Sequence, residues 1–306
     1  MKNFKHKIAI AAAVALLLSP LAGCTSDGSN QASSSSSSIT STSSSKPNAL
    51  SKFLKDHSSS SSQPASNASS QADNSQLQYQ DSTQYPSQAR SDQAIAPIRG
   101  QFSSLQFNGA GAYIVNNNQS TLGDVKPYGR PWAQNHLDSQ GRAAEGDAYL
   151  TRQARQYRNR AQTGNGASNW KPAGYQQAFN LPGQYRFAYN RGHLLGYALV
   201  GNIQGFNASE SNPQNIATQT MWANQAREAD NTGQNYYEGI VRKALDQNKF
   251  VRYQVKDIYA GNEQVPRAMQ IQAKSSDGTV NFNVLVPNTQ NNILINYANG
   301  QVTRCQ

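Results

Sequence analysis

Hydrophobic and polar positions divide this chain into three parts. A short apolar run, Ile8–Leu18, is followed by a long polar stretch almost without aliphatic residues, and only from Gln101 onward do apolar positions recur often enough to build a core. Within that last part Gly111–Val115 is brief and β-prone, and Asn116-Asn117-Asn118 ends it as a turn. Pro127–His136 reads as irregular or extended around Trp132, while Ala143–Leu150 is helix-compatible despite its glycine. Gly183–Tyr189 alternates aromatic with polar residues and predicts a strand. Asn212-Pro213 marks a turn, after which Asn215–Asp230 reads as partly helical until Thr232-Gly233 breaks it. Tyr236–Asn248 is an amphipathic helix with Tyr236, Ile240, Ala244 and Leu245 on its buried side. Phe250–Tyr259, Ala268–Ala273 and Val280–Val286 predict three further strands, the last two joined at the hairpin signal Asp277-Gly278. No repeat is visible, so the expected fold class is α+β, a central antiparallel sheet flanked by helices.

The two leading parts read as delivery apparatus. Lys2, Lys5 and Lys7 precede the apolar run as in a secretory signal, which is too short for a comfortable membrane span. Leu21-Ala22-Gly23-Cys24 matches the bacterial lipoprotein pattern, with cleavage before Cys24 and a lipid on its sulfur; the plainer reading is an ordinary secretory signal with a chance cysteine. The Ser-, Gln-, Ala- and Asn-rich residues that follow cannot bury enough apolar surface to offset their ordering entropy, and they predict a flexible tether. The expected domains are therefore a signal over 1–23, a tether over 24–100 and one folded domain over 101–306. The expected location is the outer face of the cytoplasmic membrane, held there through Cys24. Cys305 is the other cysteine, so with Cys24 acylated neither an intramolecular disulfide nor a four-cysteine zinc site can form.

Charge adds a preference for polyanions. Of the chain's formal +10, the span Gly100–Gln306 carries nineteen Lys and Arg against twelve Asp and Glu. Nucleic acid suits such a surface, and so do anionic wall polymers and lipids. The dense run Arg152, Arg155, Arg158 and Arg160 is either a solvated face or a phosphate-contacting edge. The Gly-, Asn- and Ser-rich loop Thr163–Pro172, which carries Lys171, is built to hold a flexible strand or simply to be a loop.

Candidate chemistry gathers at Tyr189–Asn224. His6 lies in the signal and His57 in the tether, which leaves His136 and His193 for a histidine-based site. His193 stands behind Arg191-Gly192, where glycine permits a tight backbone and arginine brings a cation near the ring. Downstream come Asn215, Gln219 and Asn224. On an ideal helix Asn215 and Gln219 share a face, whereas Asn224 points about 180° away from Asn215. A loop or distorted turn over Asn215–Gln219, with a regular helix starting near Met221, would let all three serve one site. Continuous helix from Asn224 to Glu238 would span ~21 Å, so Glu238 can join only if the chain folds back at Thr232-Gly233. No cluster of carboxylates suits a two-metal phosphodiesterase. One histidine, one asparagine carbonyl and mostly water suit a single Mg²⁺. The plainer alternative makes Asn224 a surface amide, and Asn215 and Gln219 a buried network.

Asn190-Arg-Gly-His-Leu-Leu-Gly-Tyr-Ala-Leu, Asn212-Pro-Gln-Asn-Ile-Ala-Thr-Gln-Thr, Trp222-Ala-Asn-Gln and Gly233-Gln-Asn-Tyr-Tyr-Glu together resemble the DNA/RNA non-specific endonucleases. Within them the similarity is to the membrane-bound DNA-entry nucleases of streptococci and lactic-acid bacteria, and it covers about Gly111 to Val302. The resemblance implies a ββα-metal catalytic motif in which His193 is the general base and Asn224 the Mg²⁺ ligand, with Mn²⁺ as a substitute. It implies that Asn215, Gln219 and Glu238 orient metal-bound waters and the phosphate surroundings, that Arg191 lies near the phosphate and that Arg160 steadies it. Its substrate would be DNA, and RNA as well, with a competence or DNA-uptake apparatus as partner. The family motif begins with Asp where Asn190 stands, which removes a negative charge beside the histidine. The alternative is therefore a surface lipoprotein with weakened catalysis that captures DNA.

Overall fold

The computed structural model describes residues 85–166 and 168–305. The signal, Cys24 and the tether up to residue 84 lie outside them.

The described chain opens on helix α1 (Gln88–Ile95), where Ser87 Oγ accepts from the Arg90 amide at 3.3 Å, and continues as a 3-10 stretch over Ala96–Gln101. Ile95 and Ile98 are fully buried against Tyr113, Val115, Ala268 and Leu285. Packed structure thus begins well before Gln101, and the last residues assigned to the tether belong to the fold.

Strands β1 (Leu105–Phe107), β2 (Tyr113–Val115), β3 (Trp132–Leu137) and β4 (Ala143–Leu150) come next. The expected helix at Ala143–Leu150 is therefore a strand, lying between β3 and a later strand and buried along most of its length. Its alanines favour helix, but such propensity is small beside tertiary pairing, and neighbours on both edges overrule it. Gly146 is needed there, because a β-carbon would lie 2.7 Å from Leu195 Cγ. After a long irregular stretch come β5 (Tyr189–His193), α2 (Tyr197–Val200), β6 (Ile216–Thr220), α3 (Met221–Gln225) and α4 (Gln234–Asp246). The strand expected over Gly183–Tyr189 starts only at its last residue and runs through the motif itself. The preceding residues are instead irregular, with Tyr185 buried in the main core and the exposed Phe187 edge to face with Phe179.

Strands β7 (Val251–Ile258), β8 (Ala268–Ser275) and β9 (Asn281–Pro287) fall where the alternation put them. The closing pair β10 (Ile293–Asn296) and β11 (Gln301–Arg304) was not foreseen. Seven strands form one antiparallel sheet in the order β1-β2-β9-β8-β7-β4-β3, and β5 and β6 form a separate antiparallel ribbon. Helix α4 covers the large sheet, setting Tyr237, Val241, Ala244 and Leu245 in one core with Val251, Tyr253, Val255, Met269 and Ile271. Tyr236 and Ile240 sit at the margin of that core rather than within it.

Candidate active site

Ribbon β5–β6 followed directly by α3 is a ββα unit. The backbone pairs Asn190 with Gln219, Arg191 with Thr218, and His193 with Ile216, so the segment expected to be a loop is strand. The change from strand to helix comes at Met221 as expected, where Thr220 Oγ1 caps α3 by accepting from the Ala223 amide at 3.2 Å. Two side chains fasten the unit to the large sheet's β9 end. Asn288 accepts from the Thr220 amide at 2.7 Å and donates to the Thr218 carbonyl at 3.0 Å, while Gln290 accepts from the Trp222 amide at 2.9 Å.

Around this frame the predicted residues take distinct positions. His193 ends β5, and its Nε2 accepts from Arg160 Nη2 at 2.5 Å. Burial, and then the adjacent guanidinium, holds the imidazole down to about 3, so the ring is neutral. Arg160 also donates to the Ala208 carbonyl at 2.8 Å, pairs with Glu210 at 3.3 Å and lies over the Tyr197 ring. Of the basic run, this is the arginine brought to the histidine; Arg152 and Arg158 are exposed, and Arg155 pairs with Asp246.

Asn215 is fully buried. Its Oδ1 accepts from the Leu195 amide and from Asn135, both at 3.0 Å, and its Nδ2 donates to the Leu195 carbonyl at 3.1 Å. It therefore latches the turn after His193 from within the protein, where the resemblance implied contact with site water. Arg191 departs from expectation too: its guanidinium donates to the carbonyls of Trp170 at 2.6 Å and Ser168 at 2.5 Å, tying down the Gly-rich loop instead of standing free for phosphate. Lys171 on that loop is exposed.

Asn224, Gln219 and Glu238 meet in one network. Asn224 donates to Gln219 Oε1 at 3.0 Å, Gln219 donates to Gln234 Oε1 at 3.1 Å, and Gln234 donates to Glu238 Oε1 at 3.1 Å and to the His193 carbonyl at 2.5 Å. Gly192 lies directly under Gln219, whose side chain leaves no room for a β-carbon there. The chain does fold back at Gly233, which brings Glu238 to the motif. Burial pushes the Glu238 carboxyl above its usual range against the opposing pull of Arg242, which donates to it at 3.2 Å. Arg242 and Gln234 are participants that the sequence reading missed. The spacing of Glu238 and Arg242, one helical turn apart, was the available signal for the first.

The donor set bears on which cation could fit. No cluster of three or more His, Cys, Asp or Glu exists among the described residues. Asn224 Oδ1 receives a single 3.2 Å hydrogen bond, from Asn190, which leaves a carbonyl lone pair to spare. One neutral oxygen, with the Glu238 carboxylate reached only through Gln219 and Gln234, fits a hard, largely hydrated divalent ion and does not fit a closed tetrahedral zinc site.

The DNA/RNA non-specific endonuclease family model matches residues 123–304. NucA from Streptococcus agalactiae, solved with a magnesium ion bound, is 42% identical, with a TM-score of 0.65 over 71% of this chain and 98% of that one. The same protein solved with no metal bound gives 42% identity and a TM-score of 0.62 over 70% of this chain and 95% of that one. The ββα unit, the histidine at its strand end and these matches together make the chain a nucleic-acid hydrolase of the DNA/RNA non-specific endonuclease family.

Proposed function

We propose that this protein is a surface-tethered, Mg²⁺-dependent endonuclease that hydrolyses phosphodiester bonds in DNA, and in RNA, without regard to sequence. The observation that carries the reading is the hydrogen-bonded path linking the Asn224 carboxamide to the His193 backbone through Gln219 and Gln234. It ties a candidate ligand and a candidate base into one unit. Magnesium bound to the similar nuclease NucA supports the choice of cation, as does the oxygen donor set. The cation, when bound, offsets charge developing on the phosphate and the leaving 3′-oxygen.

The remaining work falls to the chain. Neutral His193 takes a proton from the attacking water. Arg160, next to the ring, is placed to meet a phosphate oxygen; moving onto that stronger acceptor, the guanidinium would release Nε2 for the proton. Glu238, held by Gln234 and Arg242, orients water at the site. Recognition through phosphate by Arg160 and Lys171 carries no sequence information. The Cys24 lipid would hold this activity at the cell surface, for degrading external DNA for uptake or nutrition.

Supercoiled plasmid tests the reading. Nicking requires Mg²⁺ or Mn²⁺, EDTA stops it, and His193→Ala lowers the rate by about 10²- to 10⁴-fold. A robustly active His193→Ala protein would remove the base, and gel shifts without product under every divalent metal would favour DNA capture without cleavage.

A further inference from the structure

Gln234 opens α4 and is 1% exposed. Its Nε2 faces two groups that can only accept, the His193 carbonyl at 2.5 Å and the Glu238 carboxylate at 3.1 Å. Its Oε1 must then face Gln219, which turns its own Nε2 to it at 3.1 Å. Gln219 Oε1 is left for Asn224, whose Nδ2 approaches at 3.0 Å. Only after these three amides are set does Asn224 Oδ1 point the other way, toward Asn190 at 3.2 Å.

A primary amide has nearly the same outline either way round, but opposite chemistry at its two ends. Packing alone does not decide whether Asn224 presents its oxygen or its NH₂. A run of buried amides does decide it once one end is fixed, because reversing any member leaves donor facing donor or acceptor facing acceptor. Here the fixed end is the pair of obligate acceptors at Gln234. Arg242 holds the second oxygen of Glu238 at 3.2 Å, and the Asn235 side chain holds Arg242 at 2.7 Å. Gly192 lets Gln219 lie flat enough to bridge the two ends.

We infer that Gln234 is a positioning residue that sets the polarity of this amide relay, so that Asn224 turns its oxygen rather than its NH₂ toward the cation. The inference rests on the reading of Asn224 as the metal ligand.

Isothermal titration of the full-length protein with Mn²⁺, without DNA, tests it beside the Mg²⁺ dependence of plasmid cleavage. Gln234→Met frees the relay, and Mn²⁺ affinity is expected to fall by about tenfold or more, the usual size of an outer-shell effect. The Mg²⁺ concentration for half-maximal rate rises in parallel. Gln219→Glu then discriminates polarity from mere packing. Added to Gln234→Met, it restores affinity, because an acceptor-only side chain again draws the Asn224 NH₂. Made alone, it brings no such gain, because Gln219 Oε1 already draws the Asn224 NH₂ in the unaltered relay. Should Gln234→Met fail to fold, Gln234→Lys keeps both anchoring contacts but presents a donor to Gln219; it reverses the relay and lowers affinity, and adding Gln219→Glu, which accepts from both the lysine and Asn224, restores it. Unchanged Mn²⁺ affinity in Gln234→Met, or affinity raised equally by Gln219→Glu with and without Gln234, overturns the inference. Unchanged Mn²⁺ affinity in Asn224→Ala instead removes the ligand assignment, and so separates the two failures.

Discussion

At His193 burial, and after it the neighbouring guanidinium, makes charging the ring costly, and stability depends on pH as a result. The folded imidazole is held near 3 against an ordinary value of 6.5, by burial first and Arg160 second. Above pH 6.5 neither the folded nor the unfolded chain protonates this ring, and its contribution is constant. As pH falls from 6.5 toward 3, the unfolded chain takes up a proton that the folded chain refuses, so stability is lost across that window. Melting temperatures between pH 4 and 7 should therefore fall less steeply toward acid in His193→Gln; an unaltered slope would mean that the ring is not held neutral. The histidine was legible in the sequence because the other histidines were few and badly placed. For Asn215 the plainer alternative, a buried amide serving backbone groups, is the one its contacts match, whereas the hold of Arg191 on its loop was not legible, since composition does not reveal which carbonyls a guanidinium meets. Asn215 makes three hydrogen bonds at full burial, and Arg191 spends its guanidinium on two loop carbonyls.

Among the elements, α3 is only five residues long and too short to persist by its own propensity. Its start depends on Thr220, whose hydroxyl caps the Ala223 amide and donates to the Thr289 carbonyl at 2.8 Å. Thr220→Ala should cost about 1–2 kcal/mol in urea unfolding, and raise the Mg²⁺ requirement because Asn224 rides on that helix. Loss of stability with an unmoved Mg²⁺ requirement would detach the cap from the site. The point where strand gives way to helix was readable from the incompatible angles of Asn215 and Asn224. That Ile216–Thr220 is strand was not, because its partner is the motif itself, distant in sequence. Strand β4 was hidden for a related reason: it lies inside the sheet, and its small residues make room for Leu194 and Leu195 instead of announcing a face.

For the molecule as a whole, where the folded part begins is a matter of energy. Deleting residues up to 101 removes Ile95 and Ile98, each fully buried, and should cost about 3–6 kcal/mol; deleting only up to 84 should leave the melting temperature unchanged. Equal stability of the two truncations would return α1 to the tether. The basic surplus of the folded part predicts that DNA affinity falls steeply as salt rises, with Lys171→Ala making the slope shallower by about one counterion. The attachment of the ββα unit reaches further. Asn288 and Gln290 hold it by its main chain, at Thr218, Thr220 and Trp222, and so are indifferent to the side chains displayed around those points. The Thr220 hydroxyl adds a side-chain tie at the Thr289 carbonyl, but none of these holds touches Asn190, so a motif that begins with Asn in place of Asp can be carried without rebuilding the body that bears it.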